Sequence, residues 1–142
     1  MNIIAIDPHW AKPYAFCMWL QDTAVDWGMT VYDLLDGYLS DPMWDKVIIE
    51  EPYLGMNVNT LTKLCYSVGM VIGLCEQLEL PWAFVKPMHW KKWWGLTKLK
   101  GGAYTTRKKI ILPDKIPETD EGDAYLIGEY WLRKNKYKNE GV

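Results

Sequence analysis

Cysteine and histidine are both scarce in this sequence: three cysteines, Cys17, Cys65 and Cys75, and two histidines. The cysteine count is odd and no C-x-x-C pair occurs, which argues against a disulfide framework and against structural zinc. Cys65 and Cys75 fall on one expected helix, roughly 15 Å apart at 1.5 Å per residue, too far to bridge. The three thiols read as small buried side chains. No run of 18 apolar residues occurs, so no membrane-spanning segment is expected. The opening MNIIAIDPHW has no basic stretch before Asp7, and this leads to the expectation of a cytoplasmic protein without a signal peptide. Glycine-rich phosphate loops, internal repeats and low-complexity segments are missing as well. With no linker long enough to divide it, the 142-residue chain is expected to be one domain, residues 1–135, followed by a polar tail, 136–142.

What is present describes a globular chain, 49% hydrophobic and 24% charged. Its net charge of −2 argues against a nucleic-acid binder, but the charge is segregated. Residues 86–115 hold Lys86, Lys91, Lys92, Lys98, Lys100, Arg107, Lys108, Lys109 and Lys115 against the single acid Asp114, a net +8 that leaves −10 elsewhere. Such a block is a candidate phosphate-binding surface, though a basic run is more often only a solvated face. Its HWKKWWG segment interleaves lysines with Trp90, Trp93 and Trp94, which either stack on nucleobases or pack a short helix into the core.

NIIAID is a short apolar run closed by Pro8 and reads as a buried strand. YAFCMWL and AVDWGMTV, joined by QDT, read as a hairpin pairing antiparallel with it. YDLLDGYL is a weak helix or turn. DKVIIEEP repeats the first theme, an apolar strand ending in carboxylates and a proline. Residues 57–79 form the long helix, with Val58, Leu61, Leu64, Cys65, Val68, Ile72 and Cys75 at helical spacing. Its VGMVIGLC segment is apolar nearly all round and needs cover on more than one side. Either a second subunit approaches Gly69 and Gly73, or those glycines pack tightly on the sheet. PWAFVK is a further strand, MHWKKWW a short helix, GLTKLKGGAY a mobile-looking connection and TTRKKIIL a short basic helix. A last helix runs from about Thr119 to Arg133.

Two apolar strands end in acids, Asp7 and the Glu50/Glu51 pair, and strand ends are where α/β sheets build sites. The last helix opens with Asp120, Glu121 and Asp123. Capping explains acids in a first turn. However, Leu126, Ile127, Tyr130 and Trp131 lie on the same stripe as Asp123, and Asp120 lies three residues before it, so both face the apolar side. Core-facing carboxylates without partners are costly. Divalent cations resolve that cost, and an oxygen-only donor set indicates Mg²⁺ or Mn²⁺. Two such ions about 3.5–4 Å apart activate water and stabilise the leaving oxygen in phosphodiester hydrolysis.

The set formed by IDP, IEEPY, the long helix with internal glycines, VKPMHWKK and DEGDA resembles the RuvC-type Holliday junction resolvases of the ribonuclease H-like superfamily, most of all their compact phage-encoded members. The resemblance covers about residues 2–131. It implies an α/β fold, a ribonuclease H-like mixed sheet of about five strands flanked by helices. It implies a metal-binding catalytic tetrad of Asp7, Glu50, Asp120 and Asp123 holding two Mg²⁺ or Mn²⁺ ions. Glu50 is chosen over Glu51, since adjacent strand residues face opposite ways. By the same likeness Lys86 is a catalytic basic residue near the scissile phosphate, one of Arg107, Lys108 or Lys109 is a second, and Tyr53 helps open base pairs at the crossover. With Lys91, Lys92, Lys98 and Lys100 these complete the DNA-binding set. The implied partners are branched, four-way-junction DNA and a second copy of the chain, with no membrane and no small-molecule cofactor. The implied setting is the host cytoplasm.

Where the family often has glycine, this chain has His9 after DP and Pro13 in the following turn. His9 is expected to be a surface turn residue, with entry into the site the other possibility; His89 is expected on a helix surface. Rival readings are a same-fold nuclease for RNA–DNA hybrid or structured RNA, and a non-catalytic nucleic-acid-binding module. An actin-like ATPase is excluded by the short chain and the missing phosphate loops.

Overall fold

The computed structural model describes residues 1–53, 55 and 57–139. Five strands, β1 (Ile3–Asp7), β2 (Tyr14–Leu20), β3 (Thr23–Thr30), β4 (Lys46–Glu50) and β5 (Trp82–Val85), form one mixed sheet in the order β3-β2-β1-β4-β5. Five helices accompany them: α1 (Tyr32–Leu39), α2 (Val58–Gln77), α3 (Pro87–Trp93), α4 (Gly101–Ile111) and α5 (Asp120–Asn139). β1 to β3 form the antiparallel part, turning at Gln21 and Asp22, both of which have positive φ. β4 runs parallel to β1, and β5 parallel to β4, so the C-terminal ends of these three strands lie at the same end of the sheet.

Side-chain alternation divides the core into two layers. Ile3, Ala5, Cys17, Trp19, Ile48 and Val85 join residues of α3 and α5, including Trp90, Leu126 and Ile127. Ile4, Ile6, Phe16, Val47 and Ile49 join Leu35 and Leu39 of α1 and Val68, Val71 and Cys75 of α2. By parity, Asp7 follows Ala5 and Glu50 follows Ile48, so both acids leave their strands on the α5 side. Gly128 lets α5 approach closely there, because a Cβ would stand 2.2 Å from the Trp19 ring. Gly122, between the paired acids of DEGDA, serves its N-terminus in the same way, since a Cβ would meet the Pro117 carbonyl at 2.5 Å.

Several expectations need correction. YDLLDGYL is a full helix, anchored by buried Leu35 and Leu39. The segment read as mobile is not free of structure: Leu96 is fully buried, and GGAY is the first turn of α4. α5 continues past Arg133 to Asn139. α2 buries Ser67, Val68, Val71, Leu74 and Cys75, whereas Val58 and Cys65 are exposed, so Cys65 is not a buried thiol. Gly69 and Gly73 meet nothing within 4 Å and do not pack on the sheet. By length and composition α2 is also long and apolar enough to cross a bilayer, a property the missing unbroken apolar run concealed. Here one of its faces covers the sheet, and Ser67 Oγ donates to the His9 carbonyl at 2.7 Å.

Candidate metal centre

Acids distant in sequence meet at this end of the sheet. Asp7, with a side chain only 9% exposed, stands at the end of the central strand. Its Oδ2 lies 3.3 Å from His9 Nε2, which is 4.0 Å from Asp120 Oδ1. Donor atoms of Asp7, His9 and Asp120 all fall within 4.8 Å of one another. Donors at about 2.1 Å from one cation are about 3.0 Å apart when adjacent and about 4.2 Å when opposite; the two His9 separations fall inside that range, so the group could hold a divalent ion. His9 is therefore no surface turn residue. Its Nδ1 sits 2.8 Å from the Pro13 carbonyl oxygen, and the ring is turned inward. Burial alone would lower its pKa, but the hydrogen bond and charge of Asp7 outweigh burial and raise it.

Glu50 lies beside this group, and its pKa is pushed up to about 8, first by burial and then by the Asp7 charge. Trp90, itself buried, donates its Nε1–H to Glu50 Oε2 at 2.6 Å, which opposes the shift. Asp123 also has a raised pKa, from burial first, despite the opposing charge of Lys108. Lys108 is 4% exposed, with Nζ 3.0 Å from Asp123 Oδ1 and 3.1 Å from the Thr119 carbonyl. Tyr104 donates its hydroxyl to the same Asp123 oxygen at 2.9 Å, and its own pKa is raised, by burial above all. Lys12, from the β1–β2 loop, reaches Asp120 Oδ2 at 2.7 Å; that hydrogen bond is the main reason its pKa is raised.

Asp120 and Asp123 thus have cationic partners, which come not from their own helix but from other elements, 108 and 15 positions away. Lys12, Tyr104 and the Trp90 indole N–H escaped the sequence reading. A His and a Lys two and five residues beyond a strand-end acid were the available sign for the first; nothing local marks the other two.

Among the basic candidates, Lys108 is the one of the Arg107, Lys108 and Lys109 trio that enters the acid cluster. Lys109 pairs with Glu118 at 3.2 Å and Arg107 is exposed beside Gly95. Lys91 Nζ lies over the Trp90 and Tyr104 rings, 5.5 and 5.9 Å from their centroids, and its charge draws the Glu50 pKa down. Lys92, Lys98 and Lys100 are exposed. Lys86 precedes α3 and is also exposed; with Tyr53, Glu51, Pro52, Pro87 and Met88 it lines a separate cleft of about 280 Å³. Of the tryptophans, Trp90 is core and Trp94 is half-buried, donating to the Leu126 carbonyl at 2.9 Å, so neither is free to stack; Trp93 is 45% exposed. His89 is exposed on α3.

The mixed sheet, its strand order and the helices on both faces are ribonuclease H-like, and the chain has the fold of the RuvC-type Holliday junction resolvases. A structure of Thermus thermophilus RuvC in complex with Holliday junction substrate superposes with TM-score 0.68 at 15% identity, covering 94% of this chain and 96% of that one. A second Thermus thermophilus RuvC structure gives 0.63 at 13% identity, covering 95% and 97%. Fowlpox virus resolvase, in complex with Holliday junction DNA, gives 0.56 at 14% identity, covering 94% and 98%. No protein-family model and no curated protein matches the chain in sequence.

Proposed function

We propose that this chain is a metal-dependent endonuclease that hydrolyses DNA phosphodiesters at four-way junctions, making paired nicks as a homodimer. The observation that carries this reading is the convergence of Asp7, Glu50, Asp120 and Asp123 at one end of a resolvase-like sheet. Resolvase structures solved with Holliday junction DNA are among the structural neighbours, which supports branched DNA as the substrate.

Asp7 and Asp120 would hold a divalent cation, with Glu50 and Asp123 beside them to hold a second. Such ions, when bound, acidify water and neutralise charge on the reacting phosphate. In their absence burial and the neighbouring Asp7 charge push the Glu50 pKa up to about 8, with the Trp90 Nε1–H bonded to Oε2. Lys108 holds Asp123 in place and adds fixed positive charge next to the acids. Lys91 lies at the rim of the same cluster. The exposed Lys86, Lys92, Lys98, Lys100, Arg107 and Lys109 would bind the phosphate backbone, and half-exposed Tyr53 would meet bases at the crossover.

Dimerisation is favoured by the uncovered side of α2. Tyr66, Gly69, Met70 and Gly73 follow helical spacing there, all exposed, with open space over both glycines. Two such faces can pack backbone to backbone and put two sites on one junction.

The test compares a mobile four-way junction, linear duplex and an RNA–DNA hybrid in Mg²⁺, Mn²⁺, Ca²⁺ and chelator. Paired nicks in the junction with Mg²⁺ or Mn²⁺, and binding without cutting in Ca²⁺, are expected. Preferential cutting of the hybrid would transfer the same site to the ribonuclease H-type reading.

A further inference from the structure

His9 and Pro13 are set against each other across the β1–β2 loop. The Pro13 carbonyl can only accept, so at 2.8 Å it fixes the hydrogen of the neutral ring on Nδ1. Nε2 is the ring nitrogen not engaged by the backbone, and it faces oxygens of Asp7 and Asp120 at 3.3 and 4.0 Å. Without an ion, a proton on Nε2 shared with Asp7 satisfies this arrangement, and a cation held among the three donors would take that proton's place. Metal-ligating histidines are built in this way, one ring nitrogen donating to a backbone carbonyl while the other meets the ion. The surroundings agree. Lys12 holds Oδ2 of Asp120, which leaves Oδ1 directed towards His9. The His9 backbone is fastened too, its carbonyl accepting from Ser67 of α2. The ring is 14% exposed, so its orientation is not that of a free loop side chain.

We propose that Nε2 of His9 is a ligand of the cation held by Asp7 and Asp120, making this a mixed oxygen–nitrogen site that takes Mn²⁺ in preference to Mg²⁺. The inference rests on the reading of the acid cluster as a metal centre and adds to it the donor atom and the choice of metal. Mg²⁺ favours oxygen donors and keeps its waters, whereas imidazole nitrogen gains affinity along the first-row transition series. The nitrogen comes from the turn after β1, not from the carboxylate tetrad. The same loop supplies Lys12, so this one segment sets both the donor and the orientation of Asp120.

The experiment is pulsed electron paramagnetic resonance on the full chain loaded with Mn²⁺, with and without ring-¹⁵N histidine. The chain has two histidines and the other, His89, is exposed on α3, so the label assigns the coupling with little ambiguity. A nitrogen modulation that changes isotope with the label and vanishes in His9→Ala, but persists in His89→Ala, is expected. By calorimetry, His9→Ala should weaken Mn²⁺ binding roughly tenfold or more, the loss seen when even an outer-shell partner is removed, and Mg²⁺ binding by less. Mn²⁺ bound to the wild type in an Asp7-dependent manner without histidine modulation would overturn the nitrogen ligand and leave the metal centre standing. Mn²⁺ binding that ignores both Asp7→Asn and His9→Ala, or no binding at all, would overturn both. The wild-type spectrum decides the matter even if His9→Ala folds poorly.

Discussion

Replacing Lys108 by methionine isolates the one buried ammonium of the acid cluster. The lysine joins α4 to the start of α5: Nζ bonds Asp123 Oδ1 and the Thr119 carbonyl and lies 5.1 Å over the Tyr104 ring. Methionine keeps most of the apolar stem and removes the charge. Asp123 then retains only the Tyr104 hydroxyl. Breaking a fully buried pair costs about 3–5 kcal/mol. The Asp123 side chain is 18% exposed and keeps that one bond, which moves the expected cost to about 2–3 kcal/mol. Protonation sets a ceiling. From an ordinary value of 3.8, taking up a proton costs about 4 kcal/mol at pH 7 but only about 1.5 at pH 5, at about 1.4 per pH unit. Lys108→Met is therefore expected to lose about 2–3 kcal/mol at pH 7 in chelator, a fall in Tm of roughly 6–12 °C, with a smaller defect at pH 5. Urea titrations followed by circular dichroism measure it, and Lys108→Met/Asp123→Asn should recover most of the loss. A defect below about 0.5 kcal/mol at pH 7, or one of equal size at both pH values, would refute the coupling of the two residues.

The remaining expectations concern pH, assembly and metal. Glu50, Asp123 and His9 all have raised pKa values in the folded protein, so across the window in which they titrate the folded state holds more protons than the unfolded one. Stability of the metal-free protein should thus fall as pH rises from the ordinary 4.5 of Glu50 through about 8, with a slope of at most about 1.4 kcal/mol per pH unit for each group. Thermal melts in chelator test this; melts that rise over that window would contradict the burial of Glu50 beside Asp7. Because the carboxylates must shed protons to take a cation, Mn²⁺ binding at pH 7 should release protons, measurable as a dependence of calorimetric heat on buffer ionisation. Met70→Glu puts a charge on the uncovered α2 face, where Met70 is 42% exposed, and should convert a dimer to a monomer in light scattering without unfolding it. An unchanged mass would move the dimer contact elsewhere.

The parts of this architecture that could be read from sequence are those with short-range causes. Apolar runs closed by Pro8, Pro52 and Pro87 mark β1, β4 and β5, and the acids at two of those ends become neighbours because β1 and β4 are parallel and adjacent. The spacing of Asp120 and Asp123 against Leu126 and Ile127 likewise forecast their inward side. What stayed hidden depends on partners far along the chain. His9 turns inward because of where the Pro13 carbonyl and Ser67 stand. Lys12 finds Asp120 only once the β1–β2 loop folds over the start of α5. Trp90 looked equally like a stacking surface and a core residue until Glu50 was seen to need its N–H. α2, apolar nearly all round, gives no local sign of which stripe faces the sheet, so Val58 and Cys65 were placed on the wrong side and Ser67 and Val71 passed over. No single element of GLTKLKGGAY announces that Leu96 is an anchor; its burial depends on the packing of α3, α4 and α5 around it.

The most direct measurement is nick mapping on a labelled, mobile four-way junction with wild type and Asp7→Asn in Mn²⁺. Symmetric nicks by the wild type, and junction binding without cleavage by Asp7→Asn, are expected if the converging acids form a hydrolytic metal centre. Cleavage by Asp7→Asn at the wild-type rate, or wild-type cleavage that persists in chelator, would contradict it.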